Sequence, residues 1–253
     1  MGKNALHSLL AVENDLKAVS VKVKNEAITT FTKKDDHFEG LIKTYEPMEE
    51  DATETSKTEH KEIVTTVADK LNYIKSAISK GLNAQLSKEE TNSSGTAKAS
   101  LVVDGVDFGE LSATSLLSLE KEMVAIRRVY SSIPTLDPAK PWKKDEMGEG
   151  DQYVTDPSVT FRTSKKEDFI IVVEPTEFHP AHIEKVTKDV TVGKYLTTYK
   201  SGKITPLAKS KLLERVDNIT LAVKRARSKA NQAEVISVKV GTDLLSFINK
   251  DLI

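Results

Sequence analysis

The chain has 253 residues, 38% hydrophobic and 30% charged, enough for one large core or two small ones and too apolar for bulk disorder. Its net charge of −1 hides a modest asymmetry: residues 1–130 carry 17 basic and 21 acidic side chains and the remainder 20 and 17, so neither part announces nucleic-acid binding. Cysteine is absent, which excludes disulfides, thiolate nucleophiles and cysteine-ligated metal sites and fits a reducing, cytoplasmic setting.

No apolar run approaches the ~18–20 residues that span a bilayer, so no membrane partner is expected. The start, Met1-Gly2-Lys3-Asn4-Ala5-Leu6-His7-Ser8, is soon followed by Glu13 and Asp15, so it lacks a signal-peptide core. Leu6 stands where N-myristoylation wants Ser or Thr.

Residues 3 to about 33 predict a long amphipathic helix. Ala5, Leu9, Val12, Leu16, Val19 and Val23 recur at three- and four-residue steps, a seam that must bury itself in its own domain or against a neighbouring subunit. Residues 35–62 change character. Glu46, Glu49, Glu50, Asp51, Glu54, Glu59 and Glu62 face only Lys57 and Lys61, and Pro47 interrupts any helix, which predicts a solvated acidic linker. Helical periodicity resumes over 61–87 with Ile63, Val67, Leu71, Ile74, Ile78, Leu82 and Leu86.

Thr91-Asn92-Ser93-Ser94-Gly95 breaks the pattern. Lys98 to Val103 then reads as a strand, Asp104-Gly105 as a two-residue turn, and Val106 to Leu111 as the return strand. Ser112 or Thr114 caps a helix reaching about Ser131, with Leu116, Leu119, Met123, Ile126 and Tyr130 on its main stripe. Pro134, Pro138 and Pro141 impose an extended loop that holds Trp142, the single tryptophan.

Two strands are expected within 152–174. Val159 and Phe161 mark the first, Thr163 to Asp168 forms a polar turn, and Phe169-Ile170-Ile171-Val172-Val173 reads as a buried strand. After a loop at Pro175 to Ala181, the β-branched and aromatic stretch from Ile183 to Tyr199 makes one or two more. Thr205-Pro206 opens the most legible helix: threonine is a good cap, proline suits the first helical position, and Leu212, Val216, Ile219, Val223, Ala226 and Ala230 form its stripe. A tail follows, with a strand at Glu234 to Val240 and a short helix carrying Leu244, Leu245, Phe247, Ile248 and Leu252. It is too short to fold alone and must dock. The order predicts an α+β fold, a mainly antiparallel sheet packed with long amphipathic helices. It divides into N-terminal helices with their linker (1–94), a core (95–231) and a docking tail (232–253).

The usual chemical signatures are missing. Ser201-Gly202-Lys203-Ile204-Thr205 lacks the upstream glycine of a phosphate loop, and no dinucleotide-binding or nucleophile-elbow motif occurs, so no cofactor is expected. Of the five histidines only His179 and His182 lie close together. Pro180 makes their segment a loop and no third ligand follows, so no metal is expected there. No catalytic residue can be named.

The one chemical asymmetry is a basic helix. Lys203, Lys209, Lys211, Arg215, Lys224, Arg225, Arg227 and Lys229 face only Glu214 and Asp217. Part of this is dipole complementarity at a helix C-terminus. The remainder offers a surface to an acidic partner, with nucleic acid less favoured because no aromatic side chain interleaves to stack bases.

Several stretches together resemble an uncharacterised family of bacterial proteins about this long, known only as a domain of unknown function. They are Val102-Val103-Asp104-Gly105-Val106, Leu119-Glu120-Lys121-Glu122, Pro134-Thr135-Leu136-Asp137-Pro138 with Trp142, Phe178-His179-Pro180-Ala181, Val192-Gly193, and Leu213-Glu214-Arg215-Val216 with Ala222-Val223-Lys224-Arg225-Ala226-Arg227. The resemblance covers about 95–231 and, more weakly, the N-terminal helix; the tail is an addition to it. It implies one fold over 95–231 and carries no activity.

The sequence therefore favours a non-enzymatic protein that assembles into a homo-oligomer. Leu9, Val12, Leu16, Val19 and Val23 of the seam and Leu244, Leu245, Phe247 and Ile248 of the tail are the candidate contacts. The alternative is a regulatory protein binding nucleic acid or another polyanion through Lys209, Lys211, Arg215, Lys224, Arg225, Arg227 and Lys229.

Overall fold

The computed structural model describes residues 6–48, 55–93, 98–146 and 151–231. In chain order these form α1 (Leu6–Lys33), β1 (Glu39–Pro47), β2 (Lys57–Lys61), α2 (Val67–Asn92), β3 (Lys98–Val103), β4 (Val106–Ser112), α3 (Ala113–Ser131), β5 (Lys143–Lys144), β6 (Tyr153–Val154), β7 (Ser158–Val173), β8 (His182–Ser201) and α4 (Pro206–Ala230). The strands pair antiparallel in one sheet of order β2-β1-β8-β6-β5, with β7 on β8, and in a separate β3-β4 hairpin. The α+β class and the mainly antiparallel sheet are as the sequence implied. The chain divides into two compact units, each gathered from separated segments.

Among the described residues, one unit holds 6–19, 79–93, 98–127 and 214–231. Its hairpin turns where the sequence placed the turn. Asp104 and Gly105 both take positive φ, 49° and 84°, as a two-residue turn matching strand twist requires. Along β3 every second residue is buried (Ala99, Leu101 and Val103), which defines its inner face, and Leu116, Leu119, Met123, Val216, Val223 and Ala226 are buried in the same unit. Glu90 ties the hairpin down: its carboxylate accepts the Ser112 amide at 2.7 Å and sits 2.8 Å from Lys98 Nζ. Ser112 in turn accepts the Ser115 amide at the start of α3, at 3.3 Å.

The other unit comprises Ser20–Ile78 and Arg128–Leu213. Here the acidic segment is not the linker its composition predicted. Residues 39–47 and 57–61 are strands, because β1 finds partners on both sides, β2 and β8, and Glu46 meets Lys194 across the pair at 2.9 Å. Residues 49–54 lie outside the described residues. Helix α2 starts at Val67, later than its apolar period implied. Thr66 Oγ1 accepts the Asp69 amide at 3.1 Å and donates to the Asp69 carboxylate at 2.6 Å, a cap that fixes the start. The cap of α4 is as expected, with the Ala208 amide donating to Thr205 Oγ1 at 3.1 Å. Just before it, buried Lys203 donates to Asp35 and Glu39, each at 2.6 Å, joining the segment after α1 to the start of β1. Phe31, Phe38, Val67, Ile74, Val129 and Ile133 are buried in this unit.

Candidate functional site

The largest departure from the expected fold is also its most exposed part. Strands β7 and β8 form one continuous antiparallel ribbon, paired from Ser158↔Thr197 to Val173↔His182. No turn interrupts β7 at residues 163–168. Those polar residues face their partners in β8, with Lys188 Nζ 2.7 Å from the Asp168 carboxylate and Lys185 Nζ 2.5 Å from Glu167. Lys188 and the Phe169 amide hold the Asp168 carboxyl below the usual carboxylate range. A strand solvated on both faces does not need apolar alternation, so the polar run continues the ladder where a half-buried strand would have ended.

Near the base of the ribbon, β8 is shared. Residues 193–201 pair with β1 while residues 193–197 pair with β7. Beyond Gly193, among the described residues, only β7 pairs with β8. The free portion, residues 163–173 against 182–191, extends about 35 Å at ~3.3 Å per residue. A register shift at Arg162/Thr163 marks where it leaves the sheet, and a second at Ile171/Val173 lies near its tip.

Every residue of β7 is exposed. This corrects the expectation for Phe169-Ile170-Ile171-Val172-Val173: the run is a strand, but not a buried one. Its side chains are 42–66% exposed, and Ile183 and Phe178 beside it are 54% and 84% exposed. The sequence signal that could have shown this lies in the flanks. Lys165, Lys166, Glu167 and Asp168 precede the run and Glu184, Lys185 and Lys188 lie opposite, a charge density unsuited to a strand covered on both faces. His179 and His182 sit at this tip. The His179 and Thr176 backbones exchange hydrogen bonds, and His182 Nε2 is 3.7 Å from Glu184. Among the described residues no group of three or more His, Asp or Glu side chains is arranged around a common point.

The seam of α1 does not act as one stripe. Leu9 and Leu16 are half-buried and Val23 is buried, whereas Val12 and Val19 are 47% and 50% exposed, with Leu10 and Val21 also outward. The inward row runs instead through Leu9, Glu13, Leu16, Ser20, Val23 and Ala27, which leaves Val12 and Val19 on the flank of the helix. Glu13 takes an inner position and pairs with Lys88 at 2.8 Å. The tail candidates Leu244, Leu245, Phe247 and Ile248 lie outside the described residues.

The basic residues of α4 and of the segment just before it separate into two groups. Lys209 donates to the Ile133 carbonyl at 2.8 Å, Arg227 lies 2.9 Å from Glu120, and Lys203 is buried between carboxylates; these hold the fold. Lys211, Arg215, Lys224, Arg225 and Lys229 are exposed. Lys211, Arg215, Arg225 and Lys229 fall on one helical stripe, continued through Asn218 and Ala222. Arg225 and Lys229 border a groove of 450 Å³ whose other wall is Lys98, Ser100 and Val102 of the hairpin.

No helix among the described residues is long and apolar enough to cross a membrane. Fold and site together define an α+β protein with a ribbon that runs free of its sheet and ends in exposed apolar side chains. The chain belongs to a family of unknown function (DUF7873), whose model matches residues 3–251. That match takes in the C-terminal tail, so the tail is part of the family's unit and not an addition to it. No curated protein and no solved structure matches the chain.

Proposed function

We propose that this protein is a non-enzymatic, self-assembling structural protein whose ribbon docks on a neighbouring copy. The observation that carries the reading is the exposed run of residues 169–173 at the ribbon tip. Apolar side chains on a long open edge are a liability for a lone protomer and an asset for an assembling one. The same chain also offers a receiving surface of like chemistry, the outward Val12 and Val19, which lie two turns apart on one flank of α1. A net charge of −1 opposes the approach of copies only weakly.

The magnitudes favour an extended assembly over an isolated pair. Full burial of such a side chain contributes ~1.5–3 kcal/mol, so half-exposed ones gain about 1 kcal/mol each. Side chains alternate between the faces of a strand, so a contact on one face takes Phe169, Ile171 and the facing Ile183 and gains roughly 3 kcal/mol, short of the ~4–15 kcal/mol that association costs. One ribbon in one site is marginal, whereas closing a ring of such contacts adds a last one at no further association cost. Ribbon against helix is a head-to-tail contact, which closes into a ring or propagates as a filament.

The test is mass measurement by light scattering on the full chain and on Phe169→Ser/Ile171→Ser/Val173→Ser. The wild type should run well above its 27.9 kDa monomer mass. The variant should keep wild-type circular dichroism, since exposed positions change stability by only about 0.5 kcal/mol, and should run as a monomer. A monomeric wild type, or a variant that assembles as well as the wild type, overturns the reading.

A second reading rests on the stripe of Lys211, Arg215, Arg225 and Lys229 and its groove. In that reading the protein binds a polyanion. Arg225→Gln/Lys229→Gln would abolish salt-sensitive binding of a single-stranded oligonucleotide; no binding by the wild type at low salt removes it.

A further inference from the structure

The hairpin of β3 and β4 has an edge that no described strand covers. Among the described residues β3 pairs with β4 alone, so the amide and carbonyl groups along its other edge meet no strand there. The 450 Å³ groove lies along that edge. Its wall on this side is Lys98, Ala99, Ser100 and Val102 of β3, with no described residue of β4. Ala99 belongs to the inner face of the strand and the other three to the outer face, as a wall made by an edge requires. Across from it stand Ala222, Arg225, Ala226 and Lys229 of α4, where the two alanines leave room above the helix for another backbone. Such an edge is a template for one more strand.

Helix α4 and β3 run in opposite directions. Asn218 Nδ2 donates to the Asp104 carboxylate at 3.3 Å, beside the hairpin turn. Lys229, about 16 Å further along the helix at ~1.5 Å per residue, lines the groove together with Lys98 at the start of β3. Helix α4 therefore ends at Ala230 near the Lys98 end of the groove, and residues 232–253 lie outside the described residues. The sequence of that segment contains a stretch that matches β3. Val235-Ile236-Ser237-Val238-Lys239-Val240 places Ile236, Val238 and Val240 on one face of a strand and Val235, Ser237 and Lys239 on the other. In β3 the same alternation has Ala99, Leu101 and Val103 buried and Lys98, Ser100 and Val102 exposed. Both stretches span about 20 Å at ~3.3 Å per residue. The family match at residues 3–251 takes in this stretch.

We propose that residues 235–240 dock in the groove of their own chain as a third strand of the hairpin, parallel to β3 and on its open edge. A chain that leaves α4 at the Lys98 end and turns back along the groove travels in the direction of β3, which makes the pair parallel. Asn231 to Glu234 make the reversal, since connections from helix to strand commonly take about 2–6 residues. In that register Val235, Ser237 and Lys239 stand beside Lys98, Ser100 and Val102 on the outer face, and Ile236, Val238 and Val240 face Ala222 and Ala226. Reach selects the chain's own tail over a second copy: a segment on so short a tether has an effective concentration of order mM. The contact does not involve the ribbon and is independent of assembly through its tip. A docked strand lies beside Arg225 and Lys229, so it competes there with a polyanion.

The chain has no cysteine, which makes disulfide mapping direct. In the full chain carrying Ser100→Cys/Ser237→Cys, mild oxidation should join the two positions within one chain, read by non-reducing electrophoresis and mass spectrometry of the linked peptides. Ser100→Cys/Lys239→Cys, one step out of register on the same face, should bridge at least about tenfold more slowly, because its Cα atoms stand about 8 Å apart. Hydrogen exchange on the unsubstituted chain is a check that needs no cysteine. Amides of residues 235–240 should be protected at least about a hundredfold, and Ile236→Asp/Val238→Asp should remove that protection together with part of the protection of β3, while α3 keeps its own. Circular dichroism confirms that each variant is folded; if the cysteine pair fails that check, exchange decides. Thiols that stay free, equal rates for the two cysteine pairs, a bridge found only between chains, or exchange of residues 235–240 at the rate of an unfolded chain overturns the proposal.

Discussion

Replacing Glu90 by glutamine tests whether one carboxylate fastens the hairpin to its unit. The side chain is 23% exposed, accepts the Ser112 amide at 2.7 Å and lies 2.8 Å from Lys98 Nζ. Burial alone would raise its pKa. The Lys98 ammonium, the Ser112 amide and the hydroxyls of Ser115 and Ser112 outweigh that and hold it at about 2. Glutamine keeps the shape but loses the charge, and turns an amide nitrogen or a neutral oxygen toward Lys98. A fall from 4.5 to about 2 sets a ceiling of about 3.5 kcal/mol, at ~1.4 kcal/mol for each pH unit. Residual solvent screening brings the expected loss to about 2 kcal/mol, in line with ~1.5–3 kcal/mol for a hydrogen bond to a charged group.

The sign follows from the lowered value in the folded chain. The stabilisation is fully present above the unfolded glutamate value and drains away as pH falls toward about 2. Urea unfolding of wild type and Glu90→Gln at a series of pH values would measure it. The gap should be about 2 kcal/mol near neutrality, should narrow below about pH 4.5, and should shrink steadily while both proteins remain folded. A gap that is absent at neutral pH, or that stays constant down to the acid limit of the folded state, refutes the reasoning.

Lys203→Met should destabilise the unit that contains it by about 1–3 kcal/mol, because it leaves Asp35 and Glu39 facing each other without their shared cation. Burial lowers the Lys203 pKa, but the two carboxylates more than offset this and raise it. The raised value means that the stabilisation is whole below the ordinary lysine pKa of ~10.4 and is lost as pH climbs through the folded value. Melting temperatures of the two proteins should therefore converge only in alkali. Gly193→Ala should cost about 1–3 kcal/mol, since its methyl group would meet the buried Tyr45 ring at 2.5 Å. Tyr45→Leu in the same chain should recover part of that loss, and additive effects in urea unfolding would show that the ring is not what the methyl group meets.

The local grammar of this chain was legible because its signals are local. Asp104-Gly105 turns the hairpin through two positive φ values, Thr205 caps α4, and the stripes through Leu116 and Val223 face the core. Each depends on residues a few positions apart, and side-chain size, backbone freedom and hydrogen-bonding groups suffice to fix it. The polar and acidic stretches depart from their local signals for the complementary reason. Residues 39–47 became a strand because β2 and β8, both distant in sequence, supply hydrogen bonds and a lysine for Glu46. The basic helix looked uniform in sequence, but only the folded chain withdraws Lys203, Lys209 and Arg227 into structural bonds.

By itself, then, the sequence determined the α+β class, the positions of the helices, the hairpin turn and the apolar character of residues 169–173. Tertiary structure decided where that apolar run lies. Composition says that five such side chains prefer to leave water, but it cannot say whether the same chain covers them. That depends on which elements pack over the strand, a property of long-range pairing. In this fold β7 pairs with β8 alone, both faces stay wet, and a run that read as interior became the exposed end of a ribbon.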